Sequence, residues 1–261
     1  MTSTDALRRK NIADIPEDLD AQVELLTRYA SELGLHVGEG QARSLVDYLV
    51  MMLRQNETMN LTAIKEWDKA LILHLVDSLV VLPEFDAVVK KHPALPFLDM
   101  GSGAGLPGIP LAIMEEQAHG VLCDSVKKKM NAVEGFISNL GLGDRLSTST
   151  QRLEELGAAR RGQFGCITAR ALASLPVLIE YATPLLVKGG SFIAIKGRPE
   201  KEEIQAGSKA AQICGLAVQS TRTVELPHDS GERTIIVYEK VVETTIKLPR
   251  AVGEASKKPL A

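Results

Sequence analysis

The sequence predicts an α/β protein with a helical N-terminal extension over residues 1–94, a Rossmann-like seven-stranded sheet over 95–241 and an extended basic tail over 242–261. Three observations predict it. From Pro96 onward short apolar runs alternate with helical segments, the pattern of a doubly wound parallel sheet. The first of those runs, Phe97-Leu98-Asp99-Met100, leads into a glycine-rich turn, Gly101-Ser102-Gly103-Ala104-Gly105-Leu106-Pro107-Gly108, that can bring backbone close to a ligand without meeting a Cβ. Before Pro96 apolar residues recur only at three- and four-residue steps.

In chain order, helices are predicted over Pro16–Leu33, stopped by Gly34, over Gly40–Gln55, and over Trp67–Leu82, stopped by Pro83. Val23, Leu26, Ala30 and Leu33 make the apolar stripe of the first; Leu45, Leu49, Met52 and Leu53 make that of the second. Strands are predicted at Phe97–Met100, Gly120–Cys123, Arg145–Ser149, Gly165–Thr168 and Ser191–Ile195, then at Leu216–Val224 and Arg233–Glu239. Pro227-His228-Asp229-Ser230-Gly231 joins the last two with too few residues for a crossover, so they read as an antiparallel hairpin edge. That is the layout of a class I methyltransferase. Beyond Val241 the chain holds Lys247, Arg250, Lys257 and Lys258 among few apolar residues, hence the extended tail.

Composition sets the bounds. Of 261 residues 45% are apolar and 24% charged, enough for one large core, and a net charge of −3 does not advertise a nucleic-acid binder, although a basic patch can sit inside an acidic total. The first twenty residues, polar around Arg8-Arg9-Lys10, lack the apolar core of a signal peptide, and no run is long enough to span a membrane. Cys123, Cys166 and Cys214 are odd in number, far apart and set in apolar segments, so buried free thiols in a reducing cytoplasm are expected. A monomer without metal is expected.

Gly103, Gly105 and Gly108 satisfy the dinucleotide pattern G-x-G-x-x-G, which alone is a weak signal. Asp99 argues against a pyrophosphate, which its carboxylate would repel. S-adenosylmethionine carries a sulfonium and an ammonium instead, both attracted by such an acid, and Asp124, about twenty residues on at the end of a second strand, is placed to accept from ribose hydroxyls. Pro107 is expected as the first helical residue, with the free N–H groups of the helix facing the loop. A nicotinamide-dependent oxidoreductase remains a rival on the glycine pattern alone; others are a cofactor-binding regulatory protein and a methyltransferase acting on a small molecule or protein. Arg170 ends the fourth strand, where a guanidinium fork can hold a cofactor carboxylate or an RNA phosphate. Lys196 ends the fifth, and Lys128 and Lys129 belong to a lysine run after Asp124. These three, with Lys257 and Lys258 in the tail, are candidate phosphate contacts against the plainer reading of solvated surface charge.

A set of segments resembles the RsmG (GidB) family. They are Met59-Asn60-Leu61-Thr62-Ala63-Ile64, His74-Leu75-Val76-Asp77-Ser78-Leu79, Asp99 to Leu111, Asp124-Ser125, Arg152-Leu153-Glu154-Glu155, Ala169 to Leu175, Ile195-Lys196-Gly197 and Lys257-Lys258-Pro259-Leu260. The resemblance implies methyl transfer from S-adenosylmethionine to N7 of a guanine in 16S ribosomal RNA, free or within the small ribosomal subunit. It implies a cofactor site that includes Gly101, Leu106, Asp124, Ser125, Leu153, Glu154 and Arg170, with Leu153 and Glu154 near the adenine, and the reading of the loop adds Asp99, Gly103 and Gly105. Asn60 and His74 join Arg170 as candidate catalytic residues, either touching substrate or bracing its pocket. Two positions depart from the family pattern: Leu73 stands where Arg is frequent, and Leu106 where Phe is.

Overall fold

The computed structural model describes residues 14–261; the Arg8-Arg9-Lys10 stretch lies outside them. Helices α1 (Leu19–Glu32) and α2 (Glu39–Asn56) follow the predicted apolar stripes. The third segment is one continuous rod: α3 (Trp67–Ala70) passes through a π-helical stretch, Leu71–Val76, into α4 (Asp77–Leu79). The wider π turn falls on His74, and such turns occur often at functional sites. Pro83 is not the end of this helix. It occupies the first turn of a further one, α5 (Leu82–Lys91), where its missing N–H leaves no intrahelical bond unmade, so one proline that reads as a stop is a start.

From Phe97 the chain alternates as predicted: β1 (Phe97–Met100), α6 (Gly108–Met114), β2 (Gly120–Cys123), α7 (Lys127–Asn139), β3 (Leu146–Ser149), α8 (Leu153–Ala159), β4 (Phe164–Arg170), α9 (Leu175–Ala182), β5 (Leu186–Lys196), α10 (Lys201–Cys214), β6 (Leu216–Glu225), β7 (Glu232–Lys240) and α11 (Glu254–Lys257). The sheet runs β3-β2-β1-β4-β5-β7-β6, with only β7 reversed, so that it pairs antiparallel with both β5 and β6. Strand order reverses beside β1, so the carboxyl ends of β1, β2 and β4 open onto the crevice where ligands of such sheets bind.

Two apolar layers cover the sheet. One joins α1, α2, the rod from Trp67 to Leu79, α6 and α7 in a single cluster that includes Leu26, Leu49, Phe85, Ile109 and Phe136. The other packs α9 and α10 against Leu98, Ile167, Phe192 and Ile236. The N-terminal helices therefore share their core with the sheet. The C-terminal segment is not the extended tail that its composition predicts: Leu248 and Ala255 are buried, and α11 lies against α9.

Candidate active site

Asp124 directly follows β2 with its carboxylate held from both sides, Oδ2 accepting from Gly103 N at 3.1 Å and Oδ1 from Val126 N at 2.9 Å. It lines an open cleft of about 200 Å³, together with Gly101, Cys123, Ser125, Gln151, Arg152, Leu153, Glu154, Leu172, Ala173, Tyr181 and Ser256. Gly101 is required here twice over. Its φ is +71°, and a Cβ would stand 2.6 Å from Leu172 Cδ1 on the opposite wall. Five residues expected at the cofactor, Gly101, Asp124, Ser125, Leu153 and Glu154, are brought together by this cleft.

The rest of the glycine loop turns elsewhere. Gly105 and Leu106 are buried toward α2, where Tyr48, itself wholly buried, donates its hydroxyl to Ala104 O at 2.8 Å. A Cβ on Gly105 would meet Ile109 and Tyr48, and Gly103 offers Asp124 its N–H rather than a cleft wall. Asp99, expected to face the cofactor cations, has no exposed surface. Its Oδ2 accepts from Gly108 N and its Oδ1 from Thr168 Oγ1, so it braces the loop from beneath and satisfies one free N–H at the start of α6. Burial pushes its carboxyl above the usual range, and those hydrogen bonds oppose the shift. Pro107 sits one position earlier than expected, as the N-cap.

Arg170 faces a second cleft, not the first. Ile64, Leu73, His74, Asp77, Ala171, Ile195, Lys196, Gly197 and Arg233 line it with Arg170. The guanidinium donates from Nη1 to Asp77 Oδ2 at 3.2 Å, and to Ser78 Oγ and Leu73 O. Arg233 of β7, not singled out in the sequence, takes the same carboxylate as a fork, Nε to Oδ1 at 2.6 Å and Nη2 to Oδ2 at 3.1 Å. Buried Asp77 thus holds two arginines at one wall, an arrangement assembled from three separate segments. Ala171, between the clefts, has a φ of +51°, uncommon for a residue with a Cβ and typical of strain kept at functional sites.

His74 is buried in that cleft. Its Nε2 lies 3.0 Å from Thr62 Oγ1, which also accepts from Ile64 N. Its Nδ1 is buried with no hydrogen-bond partner. Burial first and the Arg170 charge second lower the His74 pKa to about 4, so the ring is neutral at physiological pH. Asn60, expected beside it, is exposed and lines neither cleft. The residue that organises this turn is Asn56, buried, whose Oδ1 accepts from Leu61 N and Thr62 N and so sets Thr62 against His74. Lys196, read as a phosphate contact, is already engaged: Nζ pairs with Glu203 at 2.8 Å and donates to Ala173 O at 2.9 Å, tying down the turn between the clefts. Lys128, Lys257 and Lys258 are exposed and Lys129 is half-exposed.

A family model described as rRNA small subunit methyltransferase G matches residues 41–235. The chain belongs to that family. Among its relatives, proteins named ribosomal RNA small subunit methyltransferase G from Deinococcus radiodurans and Alkaliphilus metalliredigens are 38% and 37% identical over 251 and 231 residues. The alignments cover 94% and 88% of this chain and 96% and 95% of those proteins. Both site clefts fall mainly within the matched family region; Ser256 lies beyond it. Among solved structures, a geranyl diphosphate methyltransferase in complex with SAM superposes with a TM-score of 0.51 at 12% identity, over 78% of this chain and 92% of that one, which shows a shared fold.

Proposed function

We propose that this protein transfers the methyl group of S-adenosylmethionine to N7 of a guanine in 16S ribosomal RNA. The observation that carries this reading is the pair of clefts on either side of the Arg170–Ala173 turn. One suits a nucleoside, and the other has apolar walls, two arginines and an unpartnered ring nitrogen.

The first cleft fits the cofactor. Gly101 lets Leu172 close against the backbone of the cleft, and Asp124 retains acceptor capacity for ribose hydroxyls beyond its two backbone donors. When bound there, S-adenosylmethionine supplies an electrophilic methyl on a sulfonium. In the second cleft Ile64, Leu73 and Ile195 offer apolar contact to a base, while His74, in the tautomer with its proton on Nδ1, offers a donor to a carbonyl such as guanine O6. Guanine N7 has a lone pair and no proton, so no general base is needed, and a neutral His74 that holds the base is consistent with that chemistry. Arg170, fixed by Asp77, adds positive charge for a phosphate or for the base edge. The contribution of the protein is orientation and electrostatics. Exposed Lys128, Lys129, Lys257 and Lys258 would draw in the RNA backbone.

The test is methyl transfer from labelled S-adenosylmethionine to total RNA from cells lacking the protein. N7-methylguanine is then mapped by reduction and aniline cleavage. Cleavage at one guanine of 16S RNA is expected only where the protein was present, and its absence refutes the substrate. Arg170→Ala should lose at least about a hundredfold in turnover while its affinity for S-adenosylhomocysteine stays within a few fold, because Arg170 faces the second cleft.

A further inference from the structure

We infer that the C-terminal segment, residues 248–256, completes the adenine end of the first cleft, holding a carboxylate that reads the exocyclic amine of the nucleoside. The inference rests on the S-adenosylmethionine reading above.

The geometry sets which end is which. With ribose hydroxyls on Asp124, the reactive end of the ligand must face the second cleft across the Arg170–Ala173 turn, so the base lies toward Leu153 and Glu154. Three cleft-lining side chains from three elements meet there: Glu154 of α8, Tyr181 of α9 and Ser256 of α11. Gly253 N donates to Glu154 Oε1 at 2.7 Å, and the Tyr181 hydroxyl lies 3.1 Å from Ser256 Oγ. Glu154 is only 8% exposed, so its carboxylate oxygens need hydrogen-bond donors in place of water. A carboxylate has about four acceptor sites. Gly253 occupies one, and capacity remains for an amine N–H.

The segment is latched as well as placed. Arg250 grips Glu180 with both nitrogens, Nε to Oε1 at 2.7 Å and Nη2 to Oε2 at 2.5 Å, and the carboxylate of Glu180 is almost fully buried. The same guanidinium donates to Lys258 O at 2.7 Å, tying the far end of the segment to its start. Arg161 donates to Leu248 O, and the Leu248 side chain is buried. None of this is expected of a tail whose task is RNA alone. It makes the last turn of the chain one wall of the nucleoside site.

The experiment compares binding of S-adenosylhomocysteine and of its inosine analogue, which has a carbonyl in place of the amine, by calorimetry. The proteins are the intact chain, a chain ending at Thr245, and the double variant Arg250→Gln/Glu180→Gln, which removes both charges of the latch together and leaves no buried charge unpaired. The intact protein should prefer the adenosine ligand by at least about tenfold. Both altered proteins should bind it at least about tenfold more weakly and lose most of that preference. If the shortened chain shows no cooperative thermal transition, the double variant decides. Unchanged affinity and preference in folded variants overturn the inference while leaving the cofactor assignment intact. An intact protein that binds neither ligand overturns the cofactor assignment and this inference with it.

Discussion

His74 should make the stability of this protein depend on pH with a predictable sign and size. Its pKa is lowered from 6.5 to about 4, by burial first and by the positive charge of Arg170 second. In the unfolded chain the ring takes up a proton near pH 6.5, whereas in the folded chain it does so only near pH 4. The unfolded state therefore binds more protons throughout that window, and stability, present in full above it, falls as pH falls. Integrating the two titrations gives a loss of about 2 kcal/mol by pH 5 and about 3 kcal/mol by pH 4, relative to neutral pH. His74→Gln removes the titration while keeping a polar group beside Thr62. Urea unfolding of both proteins between pH 7 and pH 4.5 isolates the effect, since every other titrating group is common to the pair. The variant should lose less stability on acidification, the gap between the curves closing by about 2 kcal/mol from pH 7 to pH 5. Parallel curves would mean that the ring is solvated or already charged in the folded state, and the neutral donor role argued for it would fall.

Two further outcomes follow from the first cleft. Asp124→Ala removes the acceptor for the ribose and leaves Gly103 N–H without its partner, so affinity for S-adenosylhomocysteine should drop by about 1–3 kcal/mol; a change below twofold in calorimetry would mean that the ribose lies elsewhere. Both glycines sit at a positive φ, but Gly101→Ala places a Cβ against Leu172, whereas Gly103→Ala meets only Gly101 O at 3.9 Å. The first should weaken binding more than the second in the same titration, and the reverse order would assign the close approach to the wrong glycine.

The strands, the glycine turn and the hairpin edge were legible in the sequence because each is written in neighbouring residues: apolar runs of strand length, glycines where φ turns positive, five turn residues between two β-rich runs. Asp124 was picked out for a related reason, since strand ends in an alternating fold point to one edge of the sheet, whereas Ser125, Leu153 and Glu154 came only from the family resemblance. What local pattern could not decide is which way a residue faces once the layers close. Tyr48 pulls Ala104 toward α2, and that contact, between residues far apart in sequence, turns Gly105 and Leu106 away from the ligand and leaves Asp99 as a brace. Arg170 lies at a strand end as expected, but Asp77 and Arg233, brought in from a helix and an edge strand, draw it into the second cleft. Pro83 reads the same at a helix start as at a helix stop, and only the packing of α5 settles which it is. The basic tail has the composition of a solvated end. It folds back because Arg250 finds a buried carboxylate on α9 and Gly253 finds Glu154, pairings that exist only after α8 and α9 have docked on the sheet, so their free energy appears in no single stretch of the chain.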